Sequence, residues 1–411
     1  MMTWETRLRE WLTRHAVALG YTAVGLMGLF LRYSYLPMLS ADLEFLNAPW
    51  FEAIKSGGMG AVLDPALLYN YSPLHLYVWT LVAQLSGGFD ACAVLKCVCL
   101  GMELALVAAC VATLRTLLPG PKGRIRRFLG FSLLWLSPVL LWNAAGWAQT
   151  DTCYAAFCVL AVLMLMKDRP VWALAMLGVA LAWKLQAIFL LPLFVIAWFC
   201  GHRRFSLLWF LLVPGIWVLS GLPMALVGAS PLYAVDVYLG QAGLYNDLTF
   251  NCPNLFALMG DEITVNQMVN GMFSRTGVVL ALAVLGGMAV WMMARRARLH
   301  GRLCVLLGAW CVLVCVFFLP RMHERYGIVG EVLLACWAAA LGKPRGFAYV
   351  VLGHLPTLSA YAEYLFRDPF FPLQLGGAMN LVLLALLTWE VAHEIHAQHK
   401  AAATGQPVAE S

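Results

Sequence analysis

Long apolar runs separated by short polar segments make up most of the chain. A membrane-spanning helix needs about 20 mostly apolar residues. The pattern therefore predicts an all-α, polytopic transmembrane protein with about twelve spans, forming a single integral-membrane domain over residues 1–411. The expected spans are approximately 15–36, 91–114, 128–145, 152–166, 170–183, 186–200, 205–227, 276–294, 303–319, 327–341, 346–362 and 374–392.

The apolar stretch LHLYVWTLVAQLSGG (74–88) is too short for a span. Counting it as one would place the basic segment 115–127 outside, against the tendency of Lys and Arg to stay on the cytoplasmic side. We therefore expect an interfacial or re-entrant juxtamembrane helix within a long first outer loop, about 38–90. An amphipathic piece, NAPWFEAIKSGG, precedes it, and its Trp50 and Phe51 would suit the headgroup zone.

Composition agrees with a polytopic membrane protein rather than a globule with one anchor. Of 411 residues, 62% are hydrophobic and 12% are charged, against about 25% charged in a soluble domain. The net charge of +6 comes mainly from basic clusters between apolar runs. These clusters orient the spans with both termini in the cytoplasm. They do not indicate a nucleic-acid partner.

This topology collects the unusual polar residues on the outer face. Ionisable groups near a membrane are costly unless paired or solvated, so they are functional candidates. Six separate segments contribute them: ADLE with Asp42 and Glu44; YNYSP with Tyr71; GWAQTD with Trp147, Gln149 and Asp151; WKLQ with Lys184 and Gln186; YLGQAGLYNDLTFNCPN with Tyr238, Gln241, Tyr245, Asn251 and Asn254; and LPRMHERYG with Arg321, His323 and Arg325.

Each candidate has a structural alternative. Asp42 and Asp151 could each cap a helix, because Asp is a favoured N-cap residue. Lys184 could reach the interface as a topological anchor. Arg321 and Arg325 could pair with Glu324 or Glu331. It is the collection on one face, rather than any single member, that indicates function.

Other histidines do not suggest a site. His75 is expected to be simply solvated. The tail HEIHAQHK (393–400) does not have HExxH spacing, and we interpret it as a solvated helix end. The carboxylates form no tight cluster in the sequence. We therefore predict no metal and no cofactor.

The candidate residues match the needs of glycosyl transfer from a polyprenyl-phosphate sugar. A carboxylate near the membrane surface can deprotonate an acceptor hydroxyl. Cations at the ends of spans can hold a phosphate whose lipid tail stays in the bilayer. Because phosphate is a good leaving group, one base suffices, unlike the two carboxylates of a glycosidase.

At these motifs the sequence resembles the GT-C superfamily of polyprenyl-phosphate-dependent glycosyltransferases. It is most similar to the bacterial mannosyltransferase-like branch related to the second mannosyltransferase of GPI-anchor synthesis. The resemblance covers about residues 40–330. It rests on ADLE, YNYSPL, GWAQTD, KLQAIFLLP, a QxxxY…NxPN element and HERY, in that order.

The resemblance implies a role for each motif. Asp42 would be the general base, and Asp151 would position the acceptor or donor sugar. His323 and Arg325, with Arg321 and Lys184, would bind the donor phosphate. The sugar or acceptor would contact Glu44, Tyr71, Trp147, Gln149, Gln186, Tyr238, Gln241, Asn251 and Asn254. A GT-C-like module would cover about residues 15–227, followed by helices over about 228–395 and a cytoplasmic tail, 396–411.

The expected enzyme moves a hexose, with mannose favoured, to a hydroxyl on a glycan, lipid or protein acceptor. It would act with inversion on the extracytoplasmic face of a bacterial inner membrane. A transporter or flippase for a lipid-linked or anionic substrate is the alternative, although its charges would lie nearer the bilayer midplane. A catalytically inactive partner subunit is a third possibility.

Overall fold

The computed structural model describes residues 3–201, 205–243, 247–260 and 267–404. Its helices are α1 (Trp4–Ser34), α2 (Ala48–Gly57), α3 (Pro73–Leu85), α4 (Ala91–Leu117), α5 (Arg124–Trp135), α6 (Pro138–Leu141), α7 (Asp151–Met166), α8 (Pro170–Trp183), α9 (Leu191–Cys200), α10 (Leu212–Gly221), α11 (Tyr233–Gly243), α12 (Gln267–Ala294), α13 (Gly301–Phe318), α14 (Ile328–Leu341), α15 (Pro344–Phe366) and α16 (Leu373–Thr404). Two short strands, β1 (Thr249–Phe250) and β2 (Met322–His323), pair in parallel.

Several helices are extended by tighter or wider turns. The 3₁₀ segments are Met59–Leu63, Pro65–Leu67, Pro121–Gly123, Leu185–Leu190, Leu207–Leu211, Leu222–Val227 and Phe256–Met259. Two π segments, Leu43–Asn47 and Trp142–Gly146, lie next to α2 and α6. Isolated π turns often occur at functional sites. Leu43–Asn47 directly follows Asp42, and Trp142–Gly146 directly precedes Trp147.

Within the described residues, seven helical runs are long and apolar enough to cross a membrane. They are Trp4–Ser34, Ala91–Leu117, Pro121–Gly146, Leu207–Val227, Gly271–Ala294, Gly301–Phe318 and Leu373–Lys400. Four shorter apolar helices, Asp151–Met166, Pro170–Trp183, Leu185–Cys200 and Ile328–Leu341, lie among them. The all-α polytopic architecture agrees with the sequence, whereas the count of twelve spans stays a prediction.

The helices α13 and α14 form the centre of the core. Nearly every residue of both is buried, as expected for helices that are apolar on all sides. They pack closely at Gly330, where a Cβ would lie 2.7 Å from Leu313 Cγ. Such small residues allow two helix backbones to approach each other.

The segment between α1 and α4 folds over one end of this core. At 13 residues, α3 is about 20 Å long, shorter than the roughly 30 Å hydrocarbon layer. Trp50 and Phe51 are buried, at 4% and 0% exposure, and pack in a cluster with Trp79. The expectation that these two side chains face lipid headgroups is therefore wrong, because they form the small core that fixes α2 on α3.

A buried ion pair joins α1 to the rest of the bundle. Arg32 Nε donates to Glu103 Oε2 of α4 at 2.8 Å, and Arg32 Nη1 donates to Gly28 O at 2.9 Å. The guanidinium carbon lies 3.6 Å from the ring centre of Trp135. Because both side chains are at most 2% exposed, each charge depends on the other.

We expect Glu103→Gln to lower the free energy of unfolding by about 3–5 kcal/mol, because it leaves the Arg32 guanidinium buried without a counter-ion. Denaturant unfolding of detergent-solubilised protein measures this change. Glu52→Gln is the matched control, since Glu52 is 54% exposed and lies 3.9 Å from Lys55. Equal stability of the two variants would contradict the prediction.

Candidate active site

A cavity of about 610 Å³ opens at the end of the bundle covered by α2 and α3. Hydrogen bonds from two side chains connect separate segments of the chain at the wall of this cavity. Ser72 Oγ donates to Trp183 O at 2.8 Å, which joins the start of α3 to the end of α8. Gln241 of α11 donates to the carbonyl of Asn70. The YNYSP and WKLQ motifs therefore share one wall.

The opposite wall is the HERY loop between α13 and α14. Its strand β2 pairs with β1, so that Phe250 is aligned with His323. Arg321 N donates to Leu248 O at 2.8 Å, and Arg321 itself has a φ of 62°. This left-handed backbone is uncommon for a non-glycine residue, and the hydrogen bond to Leu248 with the pairing of the following strand maintains it. The loop is thus fixed against the segment after α11.

Asp42 lies at the cavity edge, directly before the π segment Leu43–Asn47. Its Oδ2 accepts from Trp147 Nε1 at 2.9 Å and from Gln149 Nε2 at 2.7 Å. Its Oδ1 accepts from the Tyr364 hydroxyl at 2.6 Å. An ionised carboxylate only accepts hydrogen bonds and has about four lone-pair positions. These three donors suit the ionised form and leave one position on Oδ1.

The backbone around residue 148 aims two of those donors. The π segment Trp142–Gly146 ends the helical path, and Ala148 adopts a φ of 61°. This turn directs the side chains on both sides of Ala148 to the same carboxylate. Ser40 Oγ donates to Trp147 O at 2.8 Å and so joins the two segments a second time.

Asp151 pairs with two cations of the cavity wall from the buried side, and it has no exposed surface itself. Lys184 Nζ contacts Asp151 Oδ1, and Arg325 Nε lies 3.6 Å from Asp151 Oδ2. Asn143 Nδ2 donates to Oδ2 at 3.1 Å. Arg325 also pairs with Glu324 at 3.0 Å. The carboxylate thus fixes both cations but does not line the cavity itself.

His323 lies beside these two cations in the cavity wall. Its ring stacks on Phe250 at 4.9 Å between centres, with an angle of 21° between the planes. Burial, together with the nearby Arg325 and Lys184, lowers the pKa of His323 to about 2. The imidazole is therefore neutral at physiological pH when the cavity holds no anion.

Five of the residues predicted to bind sugar or acceptor also line the cavity: Tyr71, Gln186, Tyr238, Gln241 and Asn251. Two of them are anchored to neighbouring helices. The Tyr238 hydroxyl donates to Leu181 O at 2.6 Å, and Asn251 Nδ2 donates to Ala360 O at 2.6 Å. The cavity wall thus presents aromatic rings and amides next to the cations.

Four other predicted sugar ligands lie elsewhere. Glu44 is exposed and does not line the cavity. Trp147 and Gln149 are buried behind Asp42, where they donate to it. Asn254 is buried and its Oδ1 accepts from the backbone of the 3₁₀ turn that follows it. Tyr245 lies outside the described residues.

Sequence reasoning missed Tyr364 and misjudged His75. Tyr364 is 322 positions from Asp42, and no motif around it indicates the contact. His75 is 1% exposed rather than solvated, and its ring lies 4.2 Å from Tyr71 and 4.3 Å from Trp79. The aromatic spacing YNYSPLHLYVW was the available signal that α3 turns His75 inward.

A comparison with protein-family models identifies the chain. The model described as Glycosyltransferase family 87 matches residues 69–320, which is more than half of the sequence. The chain belongs to glycosyltransferase family 87. It is therefore an enzyme, a membrane glycosyltransferase that needs a sugar donor and an acceptor. No curated protein matches the chain. The match covers four of the six motifs completely, whereas Asp42 and the HERY loop lie outside it.

We expect Tyr364→Phe to reduce the rate of sugar transfer about 10- to 100-fold, because a hydrogen bond to a charged group contributes about 1.5–3 kcal/mol. The rate with saturating substrates measures this loss. Tyr33→Phe on α1 is the matched control, since Tyr33 is 71% exposed. Full activity of Tyr364→Phe would show that this hydroxyl does not support Asp42.

Proposed function

We propose that this family 87 enzyme transfers a hexose from a polyprenyl-phosphate sugar to a hydroxyl acceptor, with inversion and with Asp42 as the general base. The observation that carries the proposal is the placement of one hydrogen-bonded carboxylate and a cationic wall around the same cavity. Trp147 joins the two parts. Its indole donates to Asp42 at 2.9 Å, and its ring centre lies 5.1 Å from the guanidinium carbon of Arg325.

Asp42 suits the acceptor hydroxyl. The lone-pair position left on Oδ1 accepts the hydroxyl hydrogen bond, and the carboxylate takes the proton as the acceptor oxygen bonds to C1 of the sugar. Positioned general-base catalysis contributes about 10²–10⁴ in rate. Tyr364, Trp147 and Gln149 keep the carboxylate in one orientation while this proton moves.

Lys184 and Arg325 suit the donor phosphate. As the C1–O bond to phosphate breaks, its electron pair leaves with polyprenyl phosphate, whose charge changes from one negative to two. Fixed cations that face this developing charge stabilise the transition state. His323 and Arg321 line the same wall. Asp151 acts through Lys184 and Arg325 as a positioning residue.

Two carboxylates line the cavity, Asp42 and Glu324. Glu324 is 3% exposed and accepts from Arg325 Nη1 at 3.0 Å, so Asp42 is the one placed to act on a substrate, which favours a single displacement. A retaining reaction needs a second group that forms a covalent sugar intermediate. Asp151 is unsuitable for that role because it has no exposed surface and is paired with two cations. The product should therefore carry the inverted anomeric configuration.

The resemblance supports the finer identity. We propose mannose as the sugar, the extracytoplasmic face of a bacterial inner membrane as the location, and a glycan, lipid or protein as the acceptor. We also retain the relation to the second mannosyltransferase of GPI-anchor synthesis as a proposal. Membership of a glycosyltransferase family gives no support to the transporter alternative.

The first test is Asp42→Asn, assayed with labelled sugar on a synthetic polyprenyl-phosphate donor. We expect transfer to fall about 10²–10⁴-fold while donor binding persists, because only the base is removed. Asp90→Asn is the matched control, since Asp90 caps the exposed start of α4 and Asn caps equally well. Undiminished transfer by Asp42→Asn would exclude Asp42 as base. Failure to bind any polyprenyl-phosphate sugar would exclude the donor class.

The second test uses the low pKa of His323. A dianionic phosphate next to this ring raises its pKa, so that binding takes up a proton and becomes tighter as pH falls. As pH falls by one unit, the affinity of the native enzyme for polyprenyl phosphate should rise, relative to the affinity of His323→Gln, by a factor of up to about ten. Because the titration of the phosphate itself contributes equally in both proteins, the contribution of His323 is the difference between the two pH slopes. Equal pH slopes would show that His323 takes up no proton when the phosphate binds.

A further inference from the structure

Lys96 lies in the second turn of α4, does not line the cavity, and is 1% exposed. Among the described residues, no carboxylate pairs with its ammonium group. Glu103, seven positions further along α4, is already paired with Arg32. A buried cation without a counter-ion is costly, so its retention requires a physical reason.

The partners of Lys96 are two carbonyls at the end of α1. Its Nζ donates to Tyr35 O at 2.7 Å and also to Met38 O. Tyr35 is the C-cap of α1, where the unpaired carbonyls carry partial negative charge. Met38 lies four residues before Asp42. The ammonium therefore closes the turn that leads from α1 to the proposed base.

Two further hydrogen bonds join the segment from Tyr35 to Ser40 to residues 142–149, which include two of the donors of Asp42. The Tyr35 hydroxyl accepts from Trp142 Nε1 at 3.0 Å. Ser40 Oγ donates to Trp147 O at 2.8 Å. Lys96 thus holds one end of a short segment whose other end must present Asp42 to Trp147 and Gln149.

We propose that Lys96 is a positioning residue for Asp42: its ammonium fixes the turn after α1 so that the carboxylate meets its three donors and faces the cavity. The charge is useful because hydrogen bonds from an ammonium to carbonyls are stronger than neutral ones. Without this contact, the four-residue segment from Met38 to Asp42 would be free to move, and Asp42 would shift with it. This inference rests on the proposed role of Asp42.

Lys96→Met tests the proposal, because it keeps the apolar stem and removes the donors. We expect kcat per folded enzyme to fall about 10²-fold, the scale for a misplaced catalytic group, while KM for the polyprenyl-phosphate donor stays unchanged. Lys96→Arg should recover part of the loss. Lys55→Met is the matched control, because Lys55 is 24% exposed and contacts Phe89 O at 3.4 Å.

The decisive comparison is Lys96→Met combined with Asp42→Asn. If Lys96 acts through Asp42, the double variant transfers sugar no more slowly than Asp42→Asn alone, since groups that act as a unit are not additive. The proposal would be overturned if the double variant lost activity by the product of the two single-variant losses. Full activity of Lys96→Met would also overturn it. If Lys96→Met does not fold, Lys96→Gln replaces it in the same comparison. Retained activity of Asp42→Asn would instead remove the proposed base itself.

Discussion

The ion pairs of Asp151 with Lys184 and Arg325 connect three distant parts of the chain. Asp151 begins α7, Lys184 follows α8, and Arg325 belongs to the loop between α13 and α14. Because Asp151 is completely buried, removing any partner would leave charge uncompensated in a region of low dielectric. This requirement fixes the helices relative to one another. It also turns both cations to the cavity wall.

The donors of Asp42 extend the same network. Trp147 contacts Asp42 through its indole and Arg325 through its ring face, so that one side chain spaces the carboxylate from the cation. The proposed base and the proposed phosphate site must be kept apart, because direct pairing of Asp42 with Arg325 would neutralise both charges. The bulky indole satisfies this need, and its packing on Tyr364 at 4.3 Å keeps it in place.

The sequence predicted the helical membrane architecture and the motifs that meet at the cavity, because both depend on local signals. Apolar length identifies a helix, and lone charges such as Lys184 and Arg325 are conspicuous among apolar residues. It could not show that Trp147 and Gln149 support Asp42, since their direction depends on a π segment and the left-handed Ala148. Tyr364 is a tertiary contact from a distant helix. Asp151 is expected from the sequence to contact a sugar, because its burial behind Lys184 and Arg325 cannot be read there.

The proposed single displacement, with one carboxylate as the base, can be tested on the native enzyme. The anomeric configuration of the transferred sugar must be opposite to that in the donor. Nuclear magnetic resonance of the product formed from a donor of known configuration measures it. Inversion is expected with Asp42 as the base. Retention would require a covalent or front-face route and would contradict the proposed chemistry of this cavity.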